Sequence, residues 1–110
     1  MSAENEPLKL TIQLRIEPGT LGPDGKDHIE IFCEAANKFF TTIEPALVHW
    51  DLIPRFDKQL PEIEFFIGNH KLTQEQADLY LHRMNRERDE LEELMYSLLA
   101  KLAERYLNSI

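Results

Sequence analysis

His49 and Asp51 are the first residues in this sequence that could do chemistry together. In an extended segment, residues at i and i+2 share a face, so the carboxylate could orient the imidazole as a general base. Catalysis also needs a nucleophile or a substrate pocket, and no G-x-S-x-G, P-loop or dinucleotide fingerprint accompanies the pair. An exposed pair on a wet strand face is the simpler expectation. Glu75, Asp78 and His82 fall at i, i+3 and i+7 of a helical segment, where oxygen and imidazole donors could meet one metal ion. A tight site also draws a ligand from a second element, and only His70 stands nearby. The acids are expected to complement a helix dipole instead. Cys33 lies among Ile29, Phe32 and Ala36 and reads as a small buried hydrophobe with a raised pKa. No catalytic residue, metal ligand or cofactor site is assigned.

Regular elements must position these groups. Residues 8–16 alternate strictly, with Leu8, Leu10, Ile12, Leu14 and Ile16 on one face and Lys9, Thr11, Gln13 and Arg15 on the other. This predicts a half-buried strand. Pro18, Gly19, Gly22, Pro23 and Gly25 then form a turn-rich loop. Ile29, Phe32, Cys33, Ala36, Phe39, Phe40 and Ile43 trace one helical stripe, predicting a helix from about 28 to 42. Asp27 and Glu30 resemble its capping box, and the approach of Pro45 ends it. Ala46, Val48, Trp50 and Leu52 predict a second strand; Ile63, Phe65 and Ile67 predict a third, turned by Gly68-Asn69.

Thr73 and Gln76 fit a capping box that opens a helix over 74–108, free of Gly and Pro. Such a helix is about 51 Å long, while a compact chain of this size is about 34 Å across. It must overhang its domain or bend. Its stripe, Ala77, Leu81, Met84, Arg88, Leu91, Met95, Leu98 and Leu102, is a heptad seam with one fault. Seven of the nine residues 85–93 are charged, so the middle is solvated or kinked. Arg88 is either a register device paired with an acid such as Asp89 or Glu92, or a side chain snorkelling to water. Leu91, Met95, Leu98 and Leu102 are expected to form a homodimer seam.

The order β-α-β-β-α implies an α+β fold of two layers, a three-stranded sheet covered on one face by two helices. It resembles a ferredoxin-like fold lacking its last strand, an analogy that carries no function. Residues 1–7 read as a flexible leader before a single domain, 8–110. The uncovered sheet face would present Arg15, Leu47, His49, Asp51, Glu64 and Phe66 as a protein-docking surface.

Composition narrows the function classes. The 110 residues carry a net charge of -8, with -5 in residues 1–72 and -3 in residues 73–110. Such a spread excess repels nucleic-acid phosphates and anionic membranes. One cysteine excludes an intramolecular disulfide framework. The polar N-terminus is not a signal peptide, and no apolar run reaches the roughly 20 residues that span a bilayer. The expectation is a small acidic cytosolic protein-binding module of the adaptor, escort or inhibitor type, dimeric and not catalytic. An enzyme or metabolite-binding domain using His49, Asp51 or Glu64 is the alternative. An acidic decoy of a nucleic-acid-binding protein is a further one.

Overall fold

Alternation builds the sheet. The computed structural model describes residues 9–109, so the expected leader lies outside the described residues. Strand β1 (Leu10–Ile16) buries Leu10, Ile12, Leu14 and Ile16 and turns Thr11, Gln13 and Arg15 to the other face. Helix α1 (Ile29–Phe40) carries the chain to β2 (Val48–Pro54), which lies parallel to β1. Strand β3 (Ile63–Ile67) pairs antiparallel on the other side of β1. The two-residue turn Gly68-Asn69 then returns the chain as β4 (His70–Leu72). Gly68 takes a φ of 59°, the positive value that the first turn residue of a type II′ hairpin needs.

The fold is α+β, and the sheet has four strands rather than three, in the order β2-β1-β3-β4. Three residues are too short a run for alternation to announce β4. The ferredoxin-like analogy also fails in detail, because β2 pairs directly with β1 instead of flanking β3.

Among the described residues three α-helices, not two, cover the sheet. Helix α1 lies on β2, α2 (Gln74–Arg83) on β3 and β4, and α3 (Arg88–Asn108) against α1 and the turn Pro18–Leu21. The core between them is built on Phe32, Phe40, Leu81 and Met95 over the dry face of β1. The Asp27–Glu30 capping box does not form. The tight turn Gly25–Asp27 runs straight into α1, and its N-cap, His28, has no side-chain cap. That turn needs glycine at its start, since a Cβ at Gly25 would sit 1.7 Å from the Pro18 carbonyl oxygen. The Thr73–Gln76 capping box is present in both directions, at 3.1 and 2.9 Å.

The expected continuous helix over 74–108 is broken. The molecule's longest extent is 44 Å, shorter than that helix would be. Asn85 adopts a φ of 60° and ends α2 as a Schellman motif. Arg86 N–H donates to the Leu81 carbonyl at 2.9 Å and Asn85 N–H to that of His82 at 3.0 Å. The seam phase is lost here, so Arg88 opens α3 instead of interrupting a stripe. No helix among the described residues is long and apolar enough to cross a membrane.

Candidate functional site

The sheet face opposite the helices gathers most of the polar residues singled out by sequence. Thr11 sits between His49 and Phe66, and Gln13 between Asp51 and Glu64. Lys71 on β4 extends the row beyond Phe66. Leu47 is not on this face. It lies in the turn before β2, half-buried against the core, and its carbonyl accepts the Leu10 N–H at 3.1 Å.

Polar groups on this face bind one another. Gln13 Nε2 donates to Asp51 Oδ2 at 2.8 Å. Glu64 accepts from Arg15 Nη1 on one oxygen and meets Lys71 Nζ at 2.7 Å on the other. Arg15 also donates to the Pro61 carbonyl at 2.8 Å. Glu64 is only 9% exposed. The hydrogen bond from Lys71, then that from Arg15, holds its carboxyl below the ordinary range against the opposing effect of burial. His49 is exposed, and no hydrogen bond joins it to Asp51, whose carboxylate is committed to Gln13. The two therefore form no acid–base dyad.

A cavity of about 370 Å³ opens where β1 and β2 end, between Arg15, Glu17, Thr20, Arg55, Glu62 and Tyr96. It resembles a ligand site in position, but its groups are already paired. Arg55 binds Glu17 at 3.1 Å and the carbonyls of Lys58 and Leu60. Tyr96 donates to Glu62 at 2.9 Å; burial first, then that bond, raises its pKa. Among the described residues, Arg55 Nε is the one buried side-chain nitrogen or oxygen without a partner, and it is sealed from solvent.

The helical triad does not converge either. Asp78 and Glu92 grip Arg88, Glu92 at 2.8 Å, and raise its pKa, with Glu92 the larger influence. The pair with Glu92 is the one expected from sequence; the contact with Asp78, which ties α2 to α3 across the break, was not anticipated. Glu75 and His82 stay exposed, and His70 lies on β4. Among the described residues, no three His, Cys, Asp or Glu side chains could hold a metal ion. Cys33 is buried, and desolvation, helped by Glu30, pushes its thiol up to about 12, leaving no nucleophile at neutral pH.

The helical side is different. His28 and Phe32, near the start of α1, meet Tyr106 near the end of α3, so the two helices run antiparallel. Between them runs an unfilled groove. One stretch of about 360 Å³ is lined by Phe39, Leu98, Lys101, Leu102, Glu104 and Arg105. The adjoining stretch of about 290 Å³ is lined by Phe32, Ala35, Ala36 and Tyr106 and shares Leu102 and Arg105.

The expected dimer seam divides here. Leu91 and Met95 are buried in the chain's own core and are closed to a second copy. Leu98 and Leu102 are half-buried on the groove, and Leu94 beside them is 40% exposed. A heptad pattern records burial, not whose surface does the burying. Phe39, taken from sequence as part of the α1 core stripe, is instead 36% exposed and faces the groove. Ile31, Ala35 and Phe39, spaced by four, make a second, exposed stripe on α1 that sequence reasoning missed. The signal was legible, because helical residues four apart share a face.

Comparison with protein families, with curated proteins and with solved structures gives no match.

Proposed function

We propose that this chain is a small, acidic, non-catalytic binding module of the cytosol that holds another protein chain along the groove between α1 and α3. The observation that carries this reading is the groove itself, where the exposed Phe39 and the half-buried Leu98 and Leu102 stand beside Lys101 and Arg105. Apolar side chains gathered in a groove with a charged rim suit an amphipathic helix. The docking face expected on the sheet supports the reading less, because Glu64 is paired there with Arg15 and Lys71, and Asp51 accepts from Gln13.

A photo-crosslinking residue at the exposed Leu94 tests this, with the same residue at Asn69, in the β3–β4 turn and outside the groove lining, as control. The expected result is a protein adduct in the chain's own cell extract that is specific to position 94. It should disappear when Leu98→Glu and Leu102→Glu are added. Equal labelling from both positions would refute the reading.

A further inference from the structure

We infer that the chain filling this groove is a second copy of the same chain, its α3 laid antiparallel about a two-fold axis near Ser97–Leu98. The inference rests on the groove being a protein-binding surface and names its occupant. Glu90, Leu94, Leu98, Lys101 and Arg105 recur at spacings of four and three along one stripe of α3. The stripe is acidic at its start, apolar in the middle and basic at its end. Glu90, Lys101 and Arg105 are exposed and make no ion pair or hydrogen bond within the described residues.

The stripe is self-complementary only when reversed. Glu90 and Arg105 lie equally far from a midpoint between Ser97 and Leu98, about 11 Å along the helix axis. Leu94 and Lys101 are likewise equidistant from it. Turning a second α3 end for end therefore sets Arg105 against Glu90 of the second copy, twice by symmetry. It sets the Lys101 stem against Leu94 and brings the two Leu98 side chains together at the axis. A parallel arrangement would oppose like charges at both ends, Glu90 to Glu90 and Arg105 to Arg105.

The size suits a weak dimer. The 21 residues of α3 are about 32 Å long. Widened to about 15 Å by the exposed stripe of α1, the strip covers roughly 480 Å² per copy. Two copies then approach the 1,000 Å² or so that a specific interface requires. A contact at this lower limit predicts a dimer that dissociates at micromolar concentration.

Sedimentation velocity on the full chain between about 2 and 200 µM tests this, at low and high salt. The mass is expected to rise from 12.9 kDa towards twice that value, less readily in high salt. E90R and R105E should each weaken association about tenfold, since each creates two repulsive contacts per dimer. The E90R/R105E double variant should return to within about threefold of wild type. Both positions are exposed, and far-UV circular dichroism verifies that each variant is folded. A persistent monomer at 200 µM would overturn the inference. If the crosslinker at Leu94 still captured a different protein, the binding-module reading would survive that failure. A dimer in which the double variant fails to recover, or to which R105E is indifferent, would overturn the antiparallel arrangement.

Discussion

Asn37 offers the sharpest test of how this fold is held. Strand β2 is a sheet edge, and its odd-numbered residues face β1. The Leu47 carbonyl accepts from Leu10, and Arg55 N–H donates to Ile16. The backbone of Leu52 therefore points outward. The Asn37 side chain, descending from α1, meets both of its groups. Its amide nitrogen donates to the Leu52 carbonyl at 2.8 Å, and its oxygen accepts the Leu52 N–H at 2.8 Å. One side-chain amide thus stands in for a residue of a neighbouring strand. Asn37→Ala removes two hydrogen bonds worth about 1 kcal/mol each. The better helix propensity of Ala returns about 0.6 kcal/mol. Water can enter from the adjacent groove beside Thr41, Pro45 and Trp50 and rehydrate the freed groups. The expected loss is about 1.5 kcal/mol, or about 6–12 °C in Tm. Asn37→Leu fills the space and keeps water out, so two orphaned groups raise the loss to about 3 kcal/mol. Urea denaturation gives the energies, and hydrogen exchange at the Leu52 amide gives the local cause. Two variants within about 0.5 kcal/mol of wild type, or an unchanged Leu52 exchange rate, would refute this account of the edge.

Three further perturbations follow from the same geometry. Asn85 holds a left-handed φ of 60°, so Asn85→Gly should match or exceed wild-type stability, while Asn85→Val should cost about 1–2 kcal/mol in a urea melt. Arg88→Leu should destabilise by about 1–2 kcal/mol, because Asp78 and Glu92 would lose the cation between them; a gain in stability would mean that Arg88 is not a clamp. Glu64 has a lowered pKa in the folded state, so its contribution is complete above the ordinary carboxyl range of about 4.3 and fades as pH falls through the lower folded value. Glu64→Gln should therefore be less stable than wild type at pH 7, by about 1–2 kcal/mol, and the gap should close in acid. A gap independent of pH would exclude the carboxylate's charge as its source.

What could be read from sequence was whatever local periodicity encodes. The alternation of β1 placed four side chains in the core, and Thr73 with Gln76 located the start of α2. Alternation also put Glu64 on the wet face, but it could not show that Arg15 and Lys71 would close over it from two neighbouring strands. The break between α2 and α3 had a weak signature. Asn is the usual second choice after Gly for a left-handed cap, yet an Asn inside a charged run also reads as a solvated helix surface. Arg88 as a fault in the seam was the stronger hint, and the real fault lies three residues earlier. The groove was hidden for another reason. Phe39 and Phe40 are adjacent, so a helical stripe wide enough for both conceals that only Phe40 is buried. Which of two neighbours turns inward depends on where α3 lies, and that is set by contacts between residues far apart in the chain, such as Phe32 with Tyr106.

The disposition of edges and charges bears directly on what this surface can recruit. Proteins that recognise partners by adding a strand need a free sheet edge. Here β2 is closed at Leu52 by Asn37 and ends at Pro54, which has no N–H to offer. The opposite edge, β4, is three residues long. Strand addition is therefore disfavoured at both edges. On the open sheet face Glu64 is already paired with Lys71 and Arg15, so a partner drawing on those groups would have to break existing pairs. The α1–α3 side imposes neither cost. Phe39 and Leu94 are already exposed, and Lys101 and Arg105 need not give up existing partners. A helix laid along α3, as proposed, would not have to displace any of these pairs.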